Sequence, residues 1–241
     1  MERRAYELLS GMERSWWYRG RALVVTRALR RFATCGQLVL DYGAGSGGMH
    51  ASLAEFGDVF AFEPDVEARA EASRRGYACV WGSDKDIAQR TYDIAAFCDV
   101  LEHVEDDRET LMHVRRSLAP GGHVVITVPA YQWMWSAHDV AHHHFRRYTK
   151  TQVGKLLESA GFEVRFASYW NALLFPLAIV LRIVGKSGEG SLGLPGVINE
   201  TLRALIALEA NIMRLVPLPF GLSVVAVGRR RDESVAKDDE L

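Results

Sequence analysis

The sequence predicts an α/β fold built on a mostly parallel, doubly wound sheet. Three features of the chain indicate this class: apolar strands alternate with helical segments, a glycine-rich turn follows the first strand, and several strands end in polar or acidic side chains. In sheets of this class, ligands bind outside the carboxyl ends of the strands. The functional site is therefore expected at that edge.

The first strand and the turn that follows it are read from the segment LVLDYGAGSGG. Its apolar residues form a short buried strand, and Asp41 places a carboxylate at the end of that strand. Gly43, Gly45 and Gly47 let the backbone approach a ligand closely. Residues 46–56 are predicted to form a helix whose first N–H groups face the same ligand. This arrangement favours a nucleotide-like ligand.

A second strand, residues 59–62, ends in Glu63, whose carboxylate suits hydrogen bonding to the two hydroxyls of a ribose. Gly43, Gly45 and Gly48 also satisfy the pattern GxGxxG, which occurs in dinucleotide-binding proteins. A dinucleotide-dependent oxidoreductase is therefore an alternative to the reading developed below. A non-catalytic cofactor-binding module is a second alternative.

The rest of the chain continues the alternation of strands and helices. The remaining predicted elements are a helix at 66–75, strands at 78–81 and 92–98, a helix at 108–118, a strand at 123–129, a helix before Gly161, a sixth strand after it, and a seventh strand within 220–230. The polar residues at the strand ends are Asp41, Glu63, Ser83 or Asp84, and Asp99. Together they describe a ligand crevice.

Length and composition fit an enzyme of one α/β domain. The chain has 241 residues, of which 49% are hydrophobic, and its 29 Lys plus Arg balance 30 Asp plus Glu. This balance gives no reason to expect a nucleic-acid partner. Three isolated cysteines favour reduced thiols and a cytoplasmic location. The N-terminus has no export-type apolar region, and no apolar run has the length of a spanning helix.

Taken together, the motifs resemble those of the class I S-adenosylmethionine-dependent methyltransferases. The segments that carry the resemblance are LVLDYGAGSGG, FEPD, YDIAAFCDVLEHVED and LAPGGHVVITVP. The resemblance covers residues 39–128 closely and the later strands more loosely. It implies a Rossmann-like, seven-stranded sheet with strand 7 antiparallel to the others. It also implies S-adenosylmethionine as the cofactor, with S-adenosylhomocysteine as its product.

The resemblance assigns the turn and the strand ends to this cofactor. The residues implied to line its methionine portion, or to pack there, are Asp41, Gly43, Ala44, Gly45, Ser46, Gly47, Cys98, Asp99, Val100 and His103. Glu63 would bind the ribose, and Pro64 would flank the adenine. Ser83 and Asp84 would lie near the adenine amino group, although GSDKD departs from the commoner GD pattern.

Two further segments resemble a subgroup that methylates small molecules. They are SWWYRGR, residues 15–21, and the stretch from His138 to Val164, in which His143 replaces the usual glycine. Trp17 and Tyr18 would offer ring faces to the sulfonium or close over the cofactor. The residues expected to contact the acceptor are Arg21, Tyr131, His138, Asp139, Arg147 and Tyr148.

Methyl transfer requires the acceptor atom to be held in line with sulfur and carbon. A hydroxyl acceptor also needs a general base, for which His144 is the first candidate and His103 the second. A purely structural role for His103, in the turn before the next helix, stays open. The HxxxH pair His138 and His142 lacks the context of a zinc site, so no metal is expected.

The expected domain organisation places a methyltransferase core at residues 31–169 and 219–230. A helical lid at 1–30, a helical cap at 170–218 and a flexible tail at 231–241 surround it. The cap has three possible roles: covering an apolar acceptor, forming a homodimer, or resting on a membrane beside a lipid-linked acceptor. We favour the first role, and either a monomer or a homodimer is compatible with it.

Overall fold

The computed structural model describes residues 15–183 and 196–231, and the bounds of its elements are as follows. The strands are β1 (Gln37–Tyr42), β2 (Gly57–Phe62), β3 (Cys79–Trp81), β4 (Tyr92–Cys98), β5 (Leu118–Pro129), β6 (Phe162–Trp170) and β7 (Ser223–Arg230). The helices are α1 (Trp16–Leu29), α2 (His50–Leu53), α3 (Val66–Ala72), α4 (Asp107–Arg116), α5 (Ala137–Ala141), α6 (Lys150–Ser159), α7 (Phe175–Ile183) and α8 (Gly196–Ile212). Short 3-10 turns cover Asp84–Gln89, Leu101–His103 and Gln132–Met134.

The strands form one seven-stranded sheet in the order β3-β2-β1-β4-β5-β7-β6. Strand β7 runs antiparallel to both of its neighbours, and the remaining pairs are parallel. The predicted fold class is therefore confirmed. The strand order reverses between β1 and β4, and this switch point is where open α/β sheets bind ligands.

Both faces of the sheet are covered, which explains why its central strands are almost continuously apolar. Val39 and Leu40, neighbours on β1 with no exposed surface, point into two different core clusters. Side chains of helices α1 and α8 pack against the sheet in the first cluster, and side chains of α4 and α6 do so in the second. The carboxyl ends of the parallel strands are left to line the functional edge.

The described parts of the predicted lid and cap pack directly on the core. Gly20 of α1 lies so close to α8 that an added Cβ would sit 2.6 Å from Ile206 Cδ1. The backbone N–H of Trp16 donates to Asn199 Oδ1 at 2.7 Å, which fixes the two helices at a second point. Ile206 and Ala210 are each 1% exposed, so this face of α8 packs in the core.

The helix predicted at residues 46–56 is shorter in the structure. Gly45 and Gly47 have φ angles of +56° and +87°, which lie outside the right-handed helical region. The glycine turn therefore extends further along the chain, and α2 begins only at His50. Because the glycine turn occupies these residues, the first turns of the predicted helix do not form.

Helix α7 follows β6, and a buried carboxylate holds the backbone just before it. Glu209 of α8, which is 2% exposed, accepts hydrogen bonds from the N–H groups of Ala172 and Leu173 at 2.9 and 2.7 Å. Leu177 and Val180 on α7 are more than half exposed. The glycine-containing linker between α7 and α8, the first part of the lid and nearly all of the tail lie outside the described residues. Within the described part of the chain, no helix combines the length and the hydropathy needed to cross a membrane.

Candidate functional site

The site is built at the sheet switch point, where β1, β2 and β4 end side by side. Asp41 is in register with Ala61 of β2 and Ala96 of β4, so the acidic residues that follow these strands meet at one edge. Asp41 and Glu63 are only 1% and 8% exposed. The carboxylates of Asp41, Glu63 and Asp99 thus lie at one edge of the sheet.

Asp41 is held by a residue that sequence reasoning missed. The Tyr77 hydroxyl donates to Asp41 Oδ2 at 2.6 Å, although the two residues are 36 positions apart. Burial raises the pKa of Asp41 to about 6, against the opposing effects of the Tyr77 hydrogen bond and the charge of Arg21. Since Tyr77 lies in the loop between α3 and β3, no local motif identifies it.

Glu63 links the end of β2 to the glycine turn. Its Oε2 accepts from the N–H of Gly45 at 2.7 Å, and its Oε1 accepts from the N–H of Asp65 at 2.9 Å. Burial raises the pKa of Glu63, and these two backbone hydrogen bonds oppose the rise. Each carboxylate oxygen keeps a further lone pair for a hydroxyl donor. The neighbouring Pro64 is exposed beside it.

Asp99 is fixed from two sides at the end of β4. Arg21 Nη1 donates to its Oδ2 at 2.8 Å, and Thr127 of β5 donates to its Oδ1 at 2.9 Å. Arg21 also reaches the carbonyl of Cys98 at 3.2 Å and is 8% exposed. Arg21 was predicted to contact the acceptor; in this structure its guanidinium holds the Asp99 carboxylate. Tyr18 lies 4.7 Å below the Arg21 guanidinium, and Trp17 packs 4.8 Å from the Trp170 ring.

Ser83 and Asp84, which were predicted to lie near the adenine, are exposed. Val100 packs so closely against the glycine turn that a Cβ added at Gly43 would lie 2.8 Å from Val100 Cγ2. Ser83 caps the 3-10 turn that follows β3 by accepting from the N–H of Lys85 at 3.4 Å. Asp84 lies at the surface, in the wall of a cavity of about 350 Å³ that also includes His113.

His144 is oriented by a buried carboxylate. Its Nδ1 lies 2.9 Å from Asp139 Oδ1, and Asp139 is completely buried. Arg147 and Ser136 also donate to Asp139, at 2.7 and 2.9 Å in their shortest side-chain contacts. Burial raises the pKa of Asp139, but the hydrogen bonds from His144 and Arg147 outweigh it and hold the pKa well below its usual value. Asp139 and Arg147 therefore support His144 in this structure.

His103 and Glu102 lie next to His144. The His103 and His144 rings meet edge to face, with centroids 4.5 Å apart. Partial burial, together with His144, lowers the pKa of His103 to about 4, so its imidazole is neutral at pH 7. Glu102 is 1% exposed, and burial followed by the charge of Asp99 raises its pKa well above its usual value. Glu102 lies within a motif that the sequence shows, but the spacing of residues along the chain does not indicate that Glu102 lies close to His144.

Backbone strain is concentrated at the same edge. Within residues 15–183 and 196–231, four non-glycine residues have positive φ, namely Asp99 (58°), Tyr131 (58°), His143 (55°) and Asn171 (61°). Asp99, Tyr131 and Asn171 follow the ends of β4, β5 and β6, and His143 lies just before His144. His143 adopts the left-handed conformation that glycine would adopt, so the turn is kept although glycine is replaced. Such conformations cost about 1–3 kcal/mol each and are typical of functional sites.

An aromatic cluster, formed by Tyr131, Trp133, Tyr169, Phe175 and Phe220, borders this edge. Tyr131 stacks on Tyr169 with centroids 5.1 Å apart and lies 5.4 Å from Phe175, whose ring is 5.7 Å from that of Phe220. Trp133 is 58% exposed, so the cluster is open to solvent.

Two other residues predicted to contact the acceptor are Tyr148 and His138. The Tyr148 hydroxyl donates to the Leu101 carbonyl at 3.2 Å and to Asp107 Oδ2 at 2.7 Å, and Tyr148 is 4% exposed. It therefore positions the loop that carries Glu102 and His103. His138 is exposed, and its ring lies 4.0 Å from that of His142 and 6.1 Å from that of His144.

Comparison with known proteins gives one family match and many structural ones. Residues 17–165 match the family described as "Methyltransferase domain". A search of curated proteins found no sequence match. Among solved structures, a methyltransferase in complex with the Trm112 methyltransferase activator of Haloferax volcanii is similar, with 20% identity, a TM-score of 0.61 and coverage of 93% of both chains.

Two further structures illustrate the range of relatives. A SAM-dependent methyltransferase from Archaeoglobus fulgidus has 16% identity and a TM-score of 0.53, with 87% of this chain and 94% of that chain covered. Phosphoethanolamine N-methyltransferase 2 from Haemonchus contortus, in complex with S-adenosylmethionine, has 18% identity and a TM-score of 0.54. That match covers 85% of this chain and 51% of the other. At these identities, the likeness concerns the fold.

Proposed function

Because the chain belongs to the class I S-adenosylmethionine-dependent methyltransferases, we propose that it methylates an oxygen, nitrogen or carbon atom of a small acceptor with an apolar portion. The cofactor of this enzyme family supplies a methyl group already activated on a sulfonium. The observation that best supports the position of this cofactor is the meeting of three carboxylates beside the glycine turn. S-adenosylmethionine, and not the dinucleotide considered as an alternative, is therefore the cofactor in this proposal.

In this proposal, Asp41 and the turn from Gly43 to Gly47 bind the methionine portion of the cofactor. The ribose hydroxyls donate to Glu63, and Asp99 faces the methionine side with its carboxylate held by Arg21 and Thr127. The remaining proposed contacts are Pro64, Ser83 and Asp84 around the adenine, and Cys98, Val100, Trp17 and Tyr18 around the sulfur and methionine. Since most of these groups are already held by the fold, little reorganisation is needed on binding.

For an acceptor that must lose a proton, His144 is the proposed proton acceptor. Asp139 holds the His144 ring at Nδ1, which leaves Nε2 to face the acceptor. A buried carboxylate that orients an imidazole and stabilises its protonated form is a recurrent arrangement for general bases. His103 is the second candidate, because its lowered pKa keeps it neutral but also makes it a weaker base.

Replacing His144 tests this assignment. We expect His144→Ala to lower kcat by about 10²- to 10⁴-fold while S-adenosylmethionine binds with unchanged affinity in calorimetry. Turnover is measured as S-adenosylhomocysteine formed in the presence of an acceptor identified by screening. Unchanged turnover would exclude His144 as the base, and a loss of cofactor binding would show that the substitution acts on the pocket instead.

The apolar portion of the acceptor is proposed from the surface beside the site. The aromatic cluster is open to solvent, and α7 continues it with half-exposed Leu177 and Val180. A contiguous apolar surface next to a cofactor crevice is typical of acceptor sites. His138 and Tyr131 would contribute the polar contacts at its border.

The same surface has two other potential occupants, which solution measurements separate. We expect a monomer by light scattering and no partition onto phosphatidylcholine–phosphatidylglycerol vesicles, a result that would leave only the acceptor role. A stable dimer would assign the surface to a second copy of the chain. Partition onto vesicles that Leu177→Ser abolishes would instead indicate a lipid-linked acceptor.

A further inference from the structure

We propose that Glu102, His103 and His144 form a binding site for a divalent first-row metal ion. Each of these residues offers one ligand atom, and the three atoms all lie within 4.8 Å of one another. Ligands bound to such an ion at about 2.0–2.2 Å lie roughly 3–3.5 Å apart, so small side-chain rotations complete the site. This inference departs from the sequence expectation of no metal.

The ligand set defines the class of ion. Two imidazoles and one carboxylate, with positions left open for other ligands, form the donor set of catalytic zinc sites and of other first-row divalent ions. Mg²⁺ and Ca²⁺ prefer oxygen donors throughout, so a site with two imidazoles favours Zn²⁺ or Co²⁺ over them.

The surroundings of His144 match the outer shell of a metal site. Metal-binding histidines usually donate their second ring N–H to a carboxylate or carbonyl, which fixes the ring and raises its basicity. His144 Nδ1 lies 2.9 Å from Asp139, which leaves Nε2 to bind the ion. The His103 ring also has a hydrogen bond to the backbone of His142. Both imidazoles are therefore oriented by groups behind them.

The balance of charge also favours a cation at this position. Arg21 pairs with Asp99, and Arg147 pairs with Asp139. Glu102 is 1% exposed and has no salt bridge within the described ranges, and its Oε2 has no hydrogen-bond partner there. A buried carboxylate needs a counter-charge or a proton, and a dication between Glu102 and the two imidazoles supplies the charge.

What such an ion does rests on the proposed function. Glu102 and His103 lie in the 3-10 turn that follows β4 and Asp99, so an ion there lies beside the proposed cofactor site. It would bind an acceptor hydroxyl, lower the pKa of that hydroxyl and hold its oxygen in line with the methyl group. The hydroxyl proton leaves to solvent, the oxygen–carbon bond forms, and the sulfur–carbon electron pair returns to sulfur. In the ion-bound enzyme His144 is therefore a ligand, and its role as the proton acceptor applies to the metal-free enzyme.

The test measures metal content and needs no acceptor. The full chain is stripped with a chelator, dialysed, incubated with Zn²⁺ or Co²⁺ and passed through gel filtration before elemental analysis. We expect a single ion per chain, with Co²⁺ giving a visible absorption band. Glu102→Gln and His144→Ala should abolish retention, and Asp139→Asn should weaken binding by about 10- to 100-fold. Circular dichroism verifies that each variant is folded.

His142→Ala is the matched control, since its imidazole lies 6.1 Å from that of His144 but is not among the three ligands. We expect this variant to keep the ion. No retained ion in the wild type, equal retention in the Glu102 and His144 variants, or loss in His142→Ala would each overturn the proposed site. S-adenosylmethionine is titrated into the stripped wild type in parallel: failure to bind counts against the proposed function alone, whereas the metal content decides the ion site.

Discussion

His143 shows at the scale of one residue how the chain keeps a turn without the glycine that usually forms it. Its φ of +55° places a Cβ-bearing residue in the left-handed region, directly before His144. A left-handed conformation costs roughly 1–2 kcal/mol for a residue with a Cβ. Other interactions in the folded protein therefore offset the cost of the left-handed backbone conformation at His143.

Replacing His143 with glycine should release that cost. We expect His143→Gly to raise the free energy of unfolding by about 1 kcal/mol in urea titrations. His142→Gly is the control, because His142 has a φ of −94° and gains nothing from glycine there. It should lower stability by roughly 0.5–1 kcal/mol through the added chain entropy of the unfolded state. A loss of stability in His143→Gly would show that the imidazole itself stabilises the turn.

Asp41 leads to a prediction about pH. Its pKa in the free protein is raised to about 6, whereas the ordinary value is 3.8. A raised pKa in the folded state means that ionised Asp41 costs stability at neutral pH, and that this cost is relieved as the pH falls through 6 towards 4. Binding of a cationic cofactor has the opposite dependence, because it needs the ionised carboxylate.

We therefore expect S-adenosylmethionine to bind about tenfold more weakly at pH 5 than at pH 7, as measured by calorimetry. In Asp41→Asn, affinity at pH 7 should be lower and this change with pH should disappear. If the variant kept the pH dependence of the wild type, another group would be responsible for it.

Single residues also mark the limit of what the sequence predicts. Asp41, Glu63 and Asp99 were identified because each follows an apolar strand, and parallel strands bring their ends together. Tyr77 and Thr127, which hold two of these carboxylates, are ordinary residues of a loop and a strand with no pattern around them. Glu102 meets His144 only through the folded loops, 42 positions apart along the chain.

At the scale of elements, the contact between α1 and α8 depends on the absence of a side chain at Gly20. A Cβ there would lie 2.6 Å from Ile206 Cδ1, and Ile206 is 1% exposed. We expect Gly20→Val to lower the free energy of unfolding by about 1–3 kcal/mol because the helices must separate. Adding Ile206→Val, which removes that Cδ1, should restore part of the loss, a coupling that a double-mutant cycle detects.

The matched control for this contact is Gly154 of α6, where an added Cβ meets nothing within 4 Å. Gly154→Ala should stabilise the protein by up to about 1 kcal/mol through helix propensity. Purely additive effects of the substitutions at Gly20 and Ile206 would contradict the close approach of the two helices.

The elements were predicted best where periodicity and strand ends agree, as in β1, β2 and β4. They were predicted less well where tertiary contacts decide. The glycine turn shortened α2, since positive φ angles stop a helix whatever the propensity of the residues that follow. Helix α8 lies in the predicted cap, and its apolar face packs against α1 and the sheet. Periodicity alone cannot distinguish such a packed face from one that lines an acceptor pocket.

At the scale of the whole molecule, the chain gathers its polar chemistry at one edge of an otherwise apolar sheet. The carboxylates of Asp41, Glu63 and Asp99 lie around the switch point between β1 and β4. The histidines and Glu102 lie on the loops beyond β4 and β5, and the aromatic cluster continues from β5 and β6 towards α7. Under the proposed function, the cofactor, the transfer chemistry and the acceptor would therefore follow one another along the sheet edge.

The central claim is that S-adenosylmethionine occupies this edge, and calorimetry on a pair of glutamate variants tests it most directly. Glu63 follows β2, whereas the exposed Glu55 precedes it at the opposite end of the strand. Loss of hydrogen bonds to a charged group costs about 1.5–3 kcal/mol, so Glu63→Ala should weaken binding roughly 10- to 150-fold. Glu55→Ala should bind S-adenosylmethionine as the wild type does. Equal affinity in the two variants, or binding of NADH in place of S-adenosylmethionine, would contradict the account.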